Sequence, residues 1–344
     1  MTSNIMDDDK VVTVGLPAWH KLGQNFQLPI SAEDAHTSMG GSFTLYKKQV
    51  GVMFEDQFVR IPEHFAIVRG PTNKDQTSKV FGYATDHYHL IQPIEIIKKF
   101  DEKVGIGIET LGFIEDGKKC FLTWKLPEFD VSDGDEVKLY GILMLGFDTI
   151  FSSRLNVGTV RVVCANTFAA ALGEEKEETK KNRGRGTVYS SKHTNLNMLN
   201  ELGEWMGCIQ QNAEKQVELL QSFFRKLDQT KIVHEQQAKD LLYTTWPNPA
   251  PIPDLYPDAL RHNKQEKIDM ETERLTEQRD GIMRLFNGAG TAIDATYWGL
   301  FNSATQYFNY EQKSKKDTAY SIVWGNRNNH MNHFADVLRK DIYG

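Results

Sequence analysis

The chain has 344 residues, 40% of them hydrophobic and 25% charged, and a formal net charge of −6. That length allows about two average domains and a sizeable buried core, while the acidic total argues against a protein that coats duplex DNA through charge alone and leaves room for a basic groove on an acidic body. The three cysteines, Cys120, Cys164 and Cys208, stand far apart with no CxxC pair, which leaves no basis for a zinc ribbon or a disulfide framework.

Met1 to Lys10 is polar and acidic, without the basic and apolar regions of a secretory leader. No run of about 18 apolar residues follows, so a cytoplasmic chain with no membrane span is expected. In GLPAWHKLGQNF, Gly15 to Phe26, Trp19 and Leu22 form a short anchor, and SAED at Ser31 has the capping-box form that opens a helix. From Phe43 onward the pattern is mostly strand. FTLYKKQVGVMF alternates, FAIVRG ends at a Gly-Pro turn, and VFGYATDHYHLIQ alternates aromatic with polar residues. Pro93 starts a helix, PIEIIKKFDEKV, with Ile94, Ile97 and Val104 on one face. GIGIETLGFIEDGKKCFLTWKLP reads as a hairpin turning at Asp116-Gly117. VKLYGILMLGFD is continuously apolar, as a central buried strand would be, and VGTVRVV is a further strand. CANTFAAAL then opens a helix that Asn166 or Thr167 caps.

GEEKEETKKNRGRGTVYSSKH has no hydrophobic periodicity and reads as a mobile charged loop. Helix dominates after it. Leu196, Leu199, Leu202, Met206 and Ile209 recur at three-four spacing in a run that continues to Leu227, and HEQQAKDLLYTTW is another helix. The proline cluster from Trp246 to Pro257 is a loop. A charged helix spans about Lys264 to Phe286, Gly288-Ala-Gly290 breaks it, and TAIDATYWGLFNSATQYFNYEQ is the last, aromatic-rich helix, with a basic tail at Lys313, Lys315 and Lys316. The expected class is α+β: a mixed or antiparallel sheet with packed helices in the N-terminal half and a helical C-terminal half. Residues 1–30 form an N-terminal arm, 31–172 a β-rich core, 173–192 a charged flexible loop, and 193–344 a helical region packing on the core.

Three segments carry a family resemblance: AWHKLG at Ala18 to Gly23, RVVCANTFAAAL at Arg161 to Leu172 with KHTNLN at Lys192 to Asn197, and GAGTAIDATYWGLFNSATQYFNY with WGNRNNHMNHFADVL beyond it. Together, over nearly the whole chain, they resemble the phage/plasmid-like proteins grouped as domain-of-unknown-function family nine-three-two. The resemblance implies a phage, prophage or plasmid origin and a host-cytoplasm location, and it brings no assigned activity. GFDTIFSSRLNVG departs from the Asp/His/Gly/Ser-rich turn that many members carry before the central junction, which puts any role of that turn in doubt here.

Four groups of residues are candidate sites. Lys180, Lys181, Arg183, Arg185, Lys192 and His193 form a basic stretch with Tyr189 among the charges. Glycines there free the backbone, cations release counterions from phosphate, and a ring stacks on a base. The competing reading is a solvated charge run paired with Glu174 to Glu178. Arg161, with Arg154 nearby and Asn166 and Thr167 at the expected helix start, forms either an anion site or a buried structural arginine beside an ordinary cap. Tyr83, His87, Tyr88 and His89 read as a stacking or packing face, since no third ligand accompanies the two histidines. Tyr297, Trp298, Phe301, Tyr307 and Phe308 read as core before base-stacking platform. No GxSxG, P-loop, GxGxxG after a strand, HExxH or paired DxD occurs, so no catalytic residue, metal or cofactor is assigned.

The reading that unites these features is a single-stranded DNA binding or annealing protein of phage or plasmid replication and recombination. It would act as a homo-oligomer whose phosphate track runs over Arg154, Arg161 and the basic stretch. By analogy alone, the strand–strand–helix unit that ends at RVVCANTFAAAL resembles the β-β-β-α core of phage single-strand annealing proteins. Two other readings stand beside it: a nucleotide- or anion-binding enzyme with a pocket of Arg154, Arg161, Asn166 and His193, and a phage protein that binds a host or replication factor through an exposed apolar face on a C-terminal helix.

Overall fold

The computed structural model describes residues 11–14, 24–27, 29–38, 43–72, 75–132, 134–161, 166–170, 187–191, 193, 196–253, 258–290, 294–312 and 326–344. The class is α+β, with the sheets in the N-terminal half and helices in the C-terminal half. The segments with Trp19 and Leu22 and with Lys313, Lys315 and Lys316 lie outside the described residues.

Two sheets form. The larger one has the path β11 (Asn166–Ala170), β10 (Ser153–Arg161), β9 (Glu136–Gly146), β7 (Lys119–Lys125), β6 (Thr110–Ile114), β1 (Val11–Val14) and β2 (Gln24–Phe26), and all its pairs are antiparallel except β1 with β2. The N-terminal arm therefore supplies two of its strands. β6 (Thr110–Ile114) and β7 (Lys119–Lys125) are the expected hairpin, with Asp116 and Gly117 both at positive φ in the turn. β9 (Glu136–Gly146) lies between β7 and β10 (Ser153–Arg161) and also pairs the short β8 (Phe129–Asp130), so the continuously apolar run is central, as expected. Gly141 admits the Trp124 indole of β7 onto the backbone of β9; a Cβ there would meet the ring at 2.1 Å.

RVVCANTFAAAL corrects the expectation. Asn166–Ala170 is a strand, β11, paired antiparallel with Val157–Arg161, and not the first turn of a helix. Alanine favours helix, but open backbone groups on the edge of β10 outweigh that weak local preference. The charged stretch also ends in a strand, β12 (Thr187–Ser191), which takes the other half of the same β10 edge.

The smaller sheet is a meander of β3 (Leu45–Phe54), β4 (Gln57–Arg69) and β5 (Lys79–Thr85). Helix α1 (Ala32–Ser38) starts as SAED predicts, with the Asp34 amide on Ser31 Oγ at 3.0 Å. The carboxylate of Asp101 also accepts from the Ala32 and Glu33 amides. Helix α2 (Pro93–Val104) begins at the proline with a reciprocal Gln92–Glu95 box. The Gln92 side chain also bonds both backbone groups of Leu45, tying α2 to β3.

The expected long helix after His193 is two, α3 (Met198–Gln211) and α4 (Ala213–Gln229). They part at Asn212, whose side-chain amide donates to the Cys208 carbonyl at 2.8 Å and so competes with the helix ladder. α5 (Glu235–Thr245), α6 (Asp258–Arg284) and α7 (Tyr297–Gln306) follow the sequence reading, and the chain breaks near Gly288. The aromatic helix is not the last: α8 (Asn326–Tyr343) follows it. A single core joins the two halves, running from Phe100 of α2 and Trp124 of β7 through Phe224 of α4 to Trp298 and Phe301 of α7 and Phe334 of α8. Trp298 Nε1 donates to buried Asp135 at 2.7 Å, a hydrogen bond between the helices and the β8–β9 turn.

Candidate nucleic-acid interface

Alternation along β7, β9 and β10 divides the large sheet into two faces. Leu122, Trp124, Leu139, Leu143, Leu155 and Val157 enter the common core. The other face carries Lys119, Phe121 and Lys125 on β7, Tyr140, Ile142 and Met144 on β9, and Arg154 on β10. The registers set Phe121 beside Met144 and Met144 beside Arg154, and place Tyr140 opposite Lys125. Phe151, from the β9–β10 connection, packs with Ile142 and Met144, while Phe121 and Tyr140 pack against this cluster and remain half-buried.

Phe151 is aimed by a local turn. Asp148 Oδ1 accepts from the amides of Ile150 at 3.1 Å and Phe151 at 2.8 Å, an Asx-type arrangement. Two cations flank the ring: Arg154 Cζ lies 5.0 Å and Lys119 Nζ 5.8 Å from its centroid. Lys119 is also paired with Glu115 at 2.5 Å, and Lys125 with Glu128 at 2.9 Å. Among the described residues no carboxylate comes within ion-pair reach of Arg154, whose guanidinium lies over the Phe151 ring. Burial, followed by the nearby Glu109, Glu128 and Glu136 carboxylates, pushes the Tyr140 phenol up to about 12, so it remains a neutral ring with a donor.

Of the residues expected to bind nucleic acid, Arg154 is therefore on an aromatic face. Arg161 is opposite Val137 and Asn166 at the far end of β10, about 24 Å along the strand from Arg154. Asn166 and Thr167 belong to β11, and no helix N-terminus exists there to hold an anion. Tyr189 is in β12. Lys180, Lys181, Arg183, Arg185 and Lys192 lie outside the described residues.

His193 is buried, not presented to solvent. Its ring stacks on Tyr88, with centroids 4.8 Å apart, and Nδ1 is 3.3 Å from the His89 carbonyl oxygen. Burial lowers its pKa against the opposing pull of the Gly146 and His89 carbonyls and Asp148. A neutral, enclosed imidazole is a packing group. β5 ends at Thr85, so His87 and His89 do not share a strand face. Tyr83 is exposed on the smaller sheet, and Tyr297, Trp298, Phe301 and Phe308 are core, which removes the aromatic helix as a stacking platform.

Lys119, Phe121, Tyr140 and Phe151 are the residues that sequence reasoning missed. Lys119 and Phe121 had a signal in the two-residue alternation of KCFLTWK, Tyr140 and Phe151 had none, and the grouping of all four depends on strand registers and on the turn at Asp148.

Residues 80–333 match the family described as Domain of unknown function (DUF932). No curated protein and no solved structure matches the chain.

Proposed function

The chain belongs to the DUF932 family, whose description carries no activity, and from the outer face of the large sheet we propose that it binds single-stranded nucleic acid. The observation that carries this reading is Arg154: half-buried, stacked on Phe151, free of carboxylate partners among the described residues, and in one cross-strand row with Phe121. A planar cation held over the buried Phe151 ring, in the same face as the partly exposed Phe121 and Tyr140, suits a strand whose phosphates take the charge and whose bases take those two rings. The basic stretch from Lys180 to Lys192, whose chain passes through β12 onto β10 beside Arg154, would extend the phosphate track. A strand held by its backbone leaves base edges free to pair, so the reading includes annealing in phage or plasmid replication and recombination.

The alternative anion-binding pocket of Arg154, Arg161, Asn166 and His193 has less support. Its helix start is a strand, its histidine is buried, and its two arginines stand about 24 Å apart along β10.

Fluorescence anisotropy with a labelled single strand, titrated with salt, tests the proposal. Arg154→Gln should weaken binding roughly tenfold and reduce the salt slope by about 0.7, the share of one phosphate contact. Phe121→Ala should weaken it by about 1–3 kcal/mol of stacking. Absence of binding at low salt, or full binding by both variants, rejects the reading.

A further inference from the structure

Toward its turn at Glu55-Asp56, the meander sheet projects an arm that no described residue covers. Residues 52–64 are all exposed, yet Val52, Met53, Phe54, Phe58, Val59 and Ile61 are large and apolar. At the base of the arm the ladder jumps from Gln49↔Phe65 to Gly51↔Arg60, and the Gln49 side chain pins the bulge by donating to the carbonyls of Ile61 and His64. Distal to it, Val52 faces Val59 and Met53 faces Phe58, so both faces of the arm are apolar. The outer face of the same sheet adds Tyr46, Val80 and Tyr83, at 42%, 57% and 71% exposure. Nine of the nineteen exposed large hydrophobics among the described residues thus fall in these three strands.

We infer that this sheet and its arm are the surface through which two copies of the chain associate about a two-fold axis. This goes beyond nucleic-acid binding and does not depend on it. Area is the first argument. The nine side chains, spread over both faces of the arm and one face of the sheet, together expose on the order of 1,000 Å², against the ~800 Å² per partner of a standard interface. Self-complementarity is the second. The same three strands supply both an apolar arm and an apolar sheet face to receive it, as a two-fold contact requires. Charge is the third. Glu55 and Asp56 at the apex have no ion-pair partner among the described residues, and Lys48, seven residues back on β3, is exposed and touches only the Tyr46 ring. Two arms laid antiparallel, with the axis near Gly51 and Val52, bring each acidic apex to the other copy's Lys48. The acidic apex also argues against insertion into a lipid surface, where two carboxylates would lead.

Sedimentation velocity of the full chain, without nucleic acid, should give a concentration-dependent dimer of 39.3 kDa subunits. Met53→Ser with Phe54→Ser should weaken the dimer by at least about tenfold while the circular dichroism spectrum stays unchanged, because both side chains are exposed in the monomer. Glu55→Lys with Asp56→Lys, and separately Lys48→Glu, should each weaken it several-fold. Mixing these two variants should restore a heterodimer, since each apex then meets an opposite charge. A wild-type chain that stays monomeric at the highest soluble concentration overturns the inference. So do a dimer indifferent to the serine pair and a mixture that fails to recover.

Discussion

The central strand β9 and the β3–β4 arm carry similar sequences and opposite fates. Seven of the ten residues of VKLYGILMLG and six of the ten of VMFEDQFVRI are large and apolar, yet β9 is buried almost throughout while every residue of the arm from Val52 to His64 is exposed. β9 is flanked by β7 and β10, and one of its faces lies on the common core. The arm pairs only with itself. An apolar strand pattern therefore reports that a segment wants cover; it does not say that the same copy of the chain provides it.

Removing cover from the two regions should separate them by the largest margin. Trp124→Ala empties the site where a fully buried indole lies on Gly141 and packs edge-on against Phe100 at 5.3 Å. It should cost roughly 3–5 kcal/mol in urea unfolding. A loss under about 1 kcal/mol would mean that β7 and β9 pack far more loosely than their registers imply.

Acid should sharpen the contrast with a somewhat smaller effect. His36, His193 and His330 all have lowered pKa values, caused first by burial, and all sit in the body of the molecule. His330 is held down to about 4, its ring stacked on Phe308 and its Nδ1 accepting from Trp246 Nε1 at 3.0 Å. The unfolded chain takes up its proton near pH 6.5 and the folded chain only near 4. The stability this histidine contributes is therefore complete above about 6.5 and is lost as the pH falls from there toward 4, by up to about 3 kcal/mol. Unfolding followed between pH 7 and 4 should show this slope in the wild type and a flatter one in His330→Gln. Equal slopes would sink the assignment.

The sequence made local features legible and cross-strand ones illegible. Asp116-Gly117, Pro93 and the SAED cap depend on neighbours a few residues away, and each was placed correctly. Asn166–Ala170 failed because its alanines favour helix locally while the edge of β10, set earlier in the chain, decided the outcome. α8 went unread because Arg327, Asn328 and Asn332 are buried beside Met331 and Phe334, which blurs the apolar stripe. The proposed interface was hidden in the same way as β11. Phe121, Met144 and Arg154 become neighbours only once two strand registers are fixed, and no spacing in the sequence announces them.

The smallest expected change on stability is the most telling for the comparison. Phe54 is 63% exposed, at the end of the arm, where its partner across the ladder is the polar Gln57. In a dilute sample kept below the dissociation constant of the dimer, Phe54→Ser should shift the unfolding free energy by no more than about 0.5 kcal/mol, since little native packing is lost. At high concentration the same substitution should lower Tm, because a dimer stabilises the fold by mass action and the variant forgoes that gain. Differential scanning calorimetry at both concentrations separates the two contributions. A loss of 2 kcal/mol or more in the dilute sample would mean that the arm is covered by its own chain after all, and that the contrast with β9 is one of degree.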